Sequence, residues 1–118
     1  MKSGIVDSPV FNETVVRRES EYRQLSPAPE QWNAVRDQIR QMQKREPNLT
    51  AEQLRGITVP TWIVSGDHEE AIKREDTLFM ADHIPGAGLL VQPGVSHFAF
   101  LQDPEQCNAD LLHFLKTA

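Results

Sequence analysis

Apolar residues change their spacing near the middle of the chain, at about residue 56. Before that point they recur among charged residues, and Trp32, Val35, Ile39 and Met42 follow each other at i, i+3, i+7 and i+10. This spacing predicts one face of an amphipathic helix. After it, short and nearly uninterrupted apolar runs alternate with helical patterns, as is typical of buried parallel strands. We therefore divide the chain into a helical segment, 1–56, and an α/β segment, 57–118.

The helical segment is predicted to form three helices. Asn12 is the expected N-cap of the first, and Pro29 suits the first turn of the second, which ends before Pro47. Thr50 and Gln53 have the spacing of a capping box at the start of a short third helix. We interpret the apolar stripe on the second helix as packing; the alternative is that these helices cover a ligand pocket.

The α/β segment is predicted to run strand, helix, strand, helix. "TVPTWIVSG" and "GLLVQP" have the composition of strands, and a helix is expected between them from about 73 to 83. Asp103 is the expected N-cap of the last helix. Two strands joined through a helix should be parallel, with a right-handed crossover.

Candidate chemistry follows the two predicted strands, where sites form in parallel sheets. The loop "GDHEEAI" carries Asp67, Glu69 and Glu70, and the loop "PGVSHF" carries His97. If the strands are neighbours, a carboxylate of the first loop can face the imidazole of the second. A carboxylate that accepts a ring N–H fixes the tautomer of a catalytic histidine and stabilises its charged form. The sequence therefore predicts an acid–base pair at this edge.

A nucleophile is missing from the 118 residues. Ser96 has a glycine two residues before it but Phe98 two residues after it, so it does not form the G-x-S-x-G elbow of serine hydrolases. It also adjoins His97, and neighbouring side chains on a turn point apart. Cys107 lies on the apolar stripe of the last helix and is interpreted as a core residue.

These motifs resemble the C-terminal portion of proteins of the α/β-hydrolase fold. The resemblance lies in "ITVPTWIVSGDHEEAI" followed, about 20 residues later, by "IPGAGLLVQPGVSHFAFLQDPEQCNADLLHFL". It implies a truncated α/β-hydrolase fold: N-terminal cap helices, then strand, helix, strand, helix with two parallel strands. It also implies that His97 is the general base and that Glu69, three residues after a glycine, is the acid. Asp67 and Glu70 remain alternatives for the acid.

Two functions are consistent with this resemblance. The first is the C-terminal part of a serine-type hydrolase that acts on a small, apolar ester or related substrate, with its nucleophile and oxyanion hole outside these residues. The second is a non-catalytic oligomeric or binding module derived from a hydrolase. No cofactor or metal is expected: Asp67, His68, Glu69, Glu70 and His97 could imitate a metal site but lack a recognised ligand spacing.

Composition narrows the expected partners. The net charge of −5 argues against nucleic acid, and no apolar run approaches the length of a membrane span. A single cysteine fits a reducing compartment, so we expect a cytoplasmic protein. An uncharged strand next to missing parts of a sheet predicts a homodimer or larger oligomer, formed through the exposed strand edge and the cap helices.

Overall fold

The computed structural model describes residues 8–45 and 47–118, and every statement on the fold refers to these ranges. A 3₁₀ turn, Pro29–Gln31, precedes the second helix. The helices and strands are α1 (Pro9–Leu25), α2 (Trp32–Gln43), α3 (Ala51–Arg55), β1 (Trp62–Gly66), α4 (Arg74–His83), β2 (Gly88–Gln92), α5 (Ala99–Gln102) and α6 (Pro104–Thr117). The predicted order of helices followed by strand, helix, strand, helix is confirmed.

Strands β1 and β2 pair in parallel, as predicted, with Trp62 opposite Gly88 at one end and Gly66 opposite Gln92 at the other. A Cβ on Gly88 would lie 2.7 Å from the Trp62 indole, so a glycine at this position leaves room for that ring. In the described part of the chain these are the two strands of the sheet.

Strand β1 begins later than the apolar run suggests. Pro60 has no N–H to donate to a neighbouring strand, and the Thr61 hydroxyl donates a hydrogen bond to the Val59 carbonyl at 2.9 Å. These local features delay regular pairing, so the strand is short and its ladder starts at Trp62.

The start of α1 corrects one prediction. Its N-cap is Ser8 rather than Asn12: the Ser8 hydroxyl accepts a hydrogen bond from the Phe11 N–H at 3.3 Å, and Pro9 occupies the first helical position. A serine followed by proline supplies both the capping acceptor and a preset backbone angle, so it initiates the helix before Asn12 is reached.

Two other predicted helix starts are confirmed. The Gln53 N–H donates to the Thr50 hydroxyl at 3.2 Å, and the Thr50 N–H donates to the Gln53 side-chain oxygen at 2.8 Å, which completes the capping box of α3. At α6, the Asp103 carboxylate accepts from the Gln106 N–H at 3.0 Å. The last helix is preceded by the separate short helix α5, which the sequence pattern did not indicate.

The apolar stripe on α2 packs only at its N-terminal end. The Trp32 ring lies 5.4 Å from that of Tyr22 on α1, measured between centroids. Ile39 and Met42 are 44% and 53% exposed, so the interpretation of the whole stripe as packing is wrong for its second half. The described elements contacted by α2 are α1 and the 3₁₀ turn, both near its first residues, which explains the difference.

The core of the described residues is small and lies where α3 and α4 meet the sheet. Its buried apolar side chains are Leu54, Ala71, Ile84, Val95 and Phe98. Since Leu54 belongs to the helical segment and the others to the α/β segment, the core joins the two. The division between 56 and 57 stays a prediction. No helix in the described ranges is both long enough and apolar enough to cross a membrane.

Candidate active site

The two loops at the carboxyl ends of β1 and β2 are held together by their backbones. The Asp67 N–H donates to the Gln92 carbonyl at 2.9 Å, and the His68 N–H donates to the Val95 carbonyl at 3.1 Å. A Cβ at Gly66 would overlap the Val95 carbonyl oxygen and lie 2.7 Å from that of Ser96. Glycine at position 66 therefore permits the close approach that brings the acidic loop against the histidine loop.

The structure places Glu69 against the ring of His97. Both Glu69 carboxylate oxygens lie 3.0 Å from Nδ1 of His97. An ionised carboxylate can only accept a hydrogen bond, so in this arrangement Nδ1 carries the proton and donates it. The remaining nitrogen, Nε2, then has its lone pair available. The Glu69 side chain is 11% exposed and that of His97 is 33% exposed, so the acid is covered and the base can still be reached.

Backbone groups orient the Glu69 carboxylate. Its Oε1 atom accepts hydrogen bonds from the Ala71 N–H at 2.6 Å and the Ile72 N–H at 3.0 Å. These donors come from the turn that leads into α4, directly after the acid. The local backbone thus holds the carboxylate in the position from which it reaches His97.

Asp67, the alternative acid, has another partner. Its Oδ1 atom accepts a hydrogen bond from the Gly94 N–H at 2.8 Å and lies 3.7 Å from Nε2 of the exposed His68. The carboxylate therefore connects the acidic loop to the start of the histidine loop. Of the carboxylates predicted from sequence, the structure brings Glu69 and not Asp67 to the imidazole.

Glu70 contacts the backbone of the histidine instead of its ring. Its Oε2 atom accepts from the His97 N–H at 2.9 Å, and its Oε1 atom accepts from the Ser8 hydroxyl at 3.1 Å. Burial raises the pKa of the Glu70 carboxyl, but hydrogen bonds from the backbone N–H groups of His97 and Glu70 and from the Ser8 and Ser96 hydroxyls outweigh it. The resulting pKa is lower than the ordinary value, so the ionised form of Glu70 links the N-cap of α1 to the histidine loop.

The side chains that could be mistaken for nucleophiles have structural partners. Ser96 is 8% exposed, and its N–H and hydroxyl both donate to the Gln102 side-chain oxygen, at 2.7 and 2.8 Å. Cys107 is half-buried, and its Sγ donates to Oε1 of Gln92 at 3.3 Å. Both therefore serve to hold the ends of β2 and the histidine loop.

Aromatic rings form an apolar wall beside the histidine. The Phe98 ring meets the His97 ring edge-on at 4.9 Å between centroids. From α1, the Phe11 ring lies 6.4 Å from His97 and 5.7 Å from Phe98, and the Arg18 guanidinium lies 5.5 Å from the Phe98 centroid. The first helix thus covers one side of the histidine loop.

Sequence reasoning missed three contributors to this site: Ser8, Phe11 and Gln102. They are distant from the loops in sequence or lie on a short helix, and no motif marked them. The Ser-Pro pair at the start of α1 was the available signal for Ser8, since it fixes where the helix begins. Among the described residues, no group of three or more His, Cys, Asp or Glu side chains is arranged to hold a metal ion.

The arrangement of parallel strands, acidic loop, histidine loop and final helix is that of the C-terminal portion of an α/β-hydrolase. A matching solved structure is that of a His-tagged serine hydrolase involved in carbazole degradation, the CarC enzyme, with a TM-score of 0.57 and 25% sequence identity. The match covers 77% of this chain and 32% of the hydrolase, so the chain spans about a third of that protein's length. No family model and no curated protein matches the sequence. The fold that the motifs implied is confirmed.

Proposed function

We propose that this chain supplies the general base, His97, and the orienting acid, Glu69, of a serine-type hydrolase. The observation that carries the proposal is the contact of both Glu69 oxygens with His97 Nδ1 at 3.0 Å. The similarity to a serine hydrolase over 77% of the chain supports it. The 118-residue sequence contains no G-x-S-x-G motif, so the nucleophilic serine and the oxyanion hole belong to residues outside it.

The proposed chemistry follows from the free nitrogen of the ring. Nε2 of His97 takes the proton of the serine hydroxyl as its oxygen attacks the substrate carbonyl, and the Glu69 carboxylate stabilises the resulting imidazolium. The same proton then passes from Nε2 to the leaving group, which departs as an alcohol. Water repeats the sequence on the acyl-enzyme and regenerates the serine.

We propose a small, apolar ester or related carbonyl compound as the substrate. Support comes from the aromatic wall of Phe11 and Phe98 beside the base, which offers apolar contact and few polar partners. The carbazole-degradation role of the similar hydrolase concerns that protein, and an aromatic-derived substrate is the corresponding proposal here. The single cysteine supports a cytoplasmic location, which stays a prediction.

A chimera tests the proposal. The portion of the carbazole-pathway hydrolase that aligns with this chain is replaced by this chain, and hydrolysis of p-nitrophenyl butyrate is measured on the folded product. We expect turnover that His97→Ala lowers on the order of 10⁶-fold. The matched control is His68→Ala, which alters a histidine whose side chain is 74% exposed and should leave the rate unchanged. A folded chimera with no activity, or with activity that survives His97→Ala, contradicts the proposal.

The alternative function, a non-catalytic oligomeric module, has one observation in its favour. Large apolar side chains on the sheet and on α6 are exposed, among them Val64 at 51% and Leu115 at 65%. Such a surface is typical of a protein that associates with another chain. Catalysis by the chimera and association of the isolated chain are separate measurements, so each function can be tested without the other.

A further inference from the structure

The surface of this chain is larger than that of a compact domain of its mass. The chain exposes 8586 Å² at 13.4 kDa, whereas a folded monomer of that mass exposes roughly 6,500 Å². Its radius of gyration is 16.3 Å, against about 13.5 Å for a compact domain of 118 residues. The surplus area is roughly 2,100 Å² per chain, and less than half of it equals the roughly 800 Å² that one partner contributes to a standard interface.

The open edge of β1 gives this surplus a direction. The Thr61 carbonyl and the Asp67 N–H both bond to the β2 side, and backbone groups alternate along a strand, so Ile63 and Ser65 face β2 as well. The N–H and C=O groups of Trp62 and Val64 therefore point to the opposite edge. Within the described ranges β2 is the single strand that pairs with β1, so that edge has no strand beside it.

An apolar groove adjoins the same edge. It has a volume of about 370 Å³ and lies between β1 and α6, where its walls include Trp62, Val64, Leu111 and Phe114. Val64 and Leu111 are 51% and 54% exposed. Strand β1 carries no charged residue, so its approach to an identical strand brings no like charges together within the pair.

We propose that two copies of this chain form a dimer in which β1 pairs with β1 of the partner, antiparallel, about a two-fold axis beside Ile63. In this register Trp62 lies opposite Val64 of the other copy, and the backbone groups that point outward meet each other. A four-stranded sheet results, in the order β2, β1, β1, β2. Because the axis is perpendicular to the sheet, both α6 helices lie on one face and their exposed leucines cover the groove from each side. A second copy is the chosen occupant because the edge complements itself and the surplus area suffices.

Sedimentation and amide exchange test the dimer without reference to catalysis. At tens of micromolar we expect a species of about 27 kDa, twice 13.4 kDa. The amides of Trp62 and Val64 should be protected in the dimer and should lose protection on dilution. The amides of Ile63 and Ser65, which bond to β2, should stay protected in the monomer.

A charge on the edge provides the variant. Val64→Lys should weaken the dimer at least about 100-fold, since lysine blocks the pairing of an edge strand while its long side chain can still reach water from this half-exposed position. The matched control is Val16→Lys on α1, at a valine that is 71% exposed and away from the groove, which should leave the dimer unchanged. Circular dichroism establishes that both variants are folded.

Three results overturn the proposal. The first is a folded chain that stays monomeric at tens of micromolar, including one whose Val64 amide becomes protected only when the nucleophile-bearing part of a hydrolase is added. The second is a dimer whose Val64 amide exchanges freely, because its interface then lies elsewhere. The third is a dimer that Val64→Lys does not weaken. Because the exchange measurement uses the unaltered chain, it decides the matter even if the variant fails to fold.

Discussion

Both oxygens of the Glu69 carboxylate lie 3.0 Å from Nδ1 of His97, although the two residues are 28 positions apart in the sequence. The parallel pairing of β1 with β2 brings their loops to one edge of the sheet, and the backbone N–H groups of Ala71 and Ile72 hold the carboxylate there. An acid and a base in this relation form two of the three members of a hydrolase triad. The chain therefore has the geometry for proton transfer but depends on a nucleophile from elsewhere.

The isolated chain should show no esterase activity above background. Removal of the nucleophile from a triad costs on the order of 10⁶ in rate, and the residual catalysis depends on an oxyanion hole, for which this sequence has no recognisable motif. The assay uses p-nitrophenyl acetate and butyrate, with His97→Ala as the comparison. A robust rate that this substitution abolishes would show that the chain contains its own nucleophile.

Acid substitutions should have unequal effects in the active chimera. Glu69→Gln removes the carboxylate that orients the His97 ring, and loss of that orientation can lower turnover by up to about 10⁴-fold. Asp67→Asn affects a hydrogen bond to the Gly94 backbone, so the expected loss is below about tenfold, the equivalent of about 1.4 kcal/mol. If Asp67→Asn proves to be the crippling change, Asp67 is the acid and the present assignment is wrong.

Gly66→Ala should destabilise the protein and separate the two loops. The added Cβ would overlap the Val95 carbonyl oxygen, and overpacking of this kind costs about 1–3 kcal/mol in the free energy of unfolding. Urea denaturation measures the change. The control is Gly56→Ala, where φ is −76° and the nearest atom to the new Cβ is 3.3 Å away, so its effect should be smaller. Equal stability of Gly66→Ala and the parent chain contradicts the close approach of the loops.

Glu70 should contribute to stability in a pH-dependent way. Its pKa in the folded chain is lowered from an ordinary value of 4.5, so the unfolded chain binds its proton more readily. The contribution is therefore fully present above about pH 4.5 and is lost as the pH falls through the lower folded pKa. The difference in unfolding free energy between the parent chain and Glu70→Gln should shrink over that acidic range.

A matched carboxylate isolates this effect. Glu13→Gln on α1 changes an exposed glutamate, and its difference from the parent should vary little over the same pH range. A Glu70→Gln difference that is constant with pH, or that grows as the pH falls, contradicts the assigned hydrogen bonds from the His97 N–H and the Ser8 hydroxyl.

Local signals in the sequence predicted much of the fold. The capping box at Thr50, the cap at Asp103 and the two apolar strands each depend on neighbouring residues, so they can be recognised without a structure. The relation between Glu69 and His97 came from a family motif, because composition and spacing left three carboxylates open. The exposed second half of the α2 stripe could not be foreseen, since periodicity identifies an apolar face but not what covers it.

Contacts between distant residues account for the rest of what the sequence did not predict. Glu70 bonds to the backbone of His97 and to the side chain of Ser8, and neither bond has a local sequence signature. The clamp of Ser96 by Gln102 depends on the short helix α5, which no apolar period announced. Such contacts follow from tertiary structure, in which a loop conformation selects the partner of each polar group.

The protonation of the His97 ring tests the central claim most directly, because the acid–base pair should exist in this chain before any nucleophile is present. Long-range ¹H–¹⁵N correlation spectra of the labelled chain, recorded where the ring is neutral, distinguish the two nitrogens. The account predicts a proton on Nδ1, bonded to Glu69, and none on Nε2. Glu69→Gln should alter this pattern, and Asp67→Asn should not. A neutral ring with its proton on Nε2 and none on Nδ1 would contradict the pairing of Glu69 with His97.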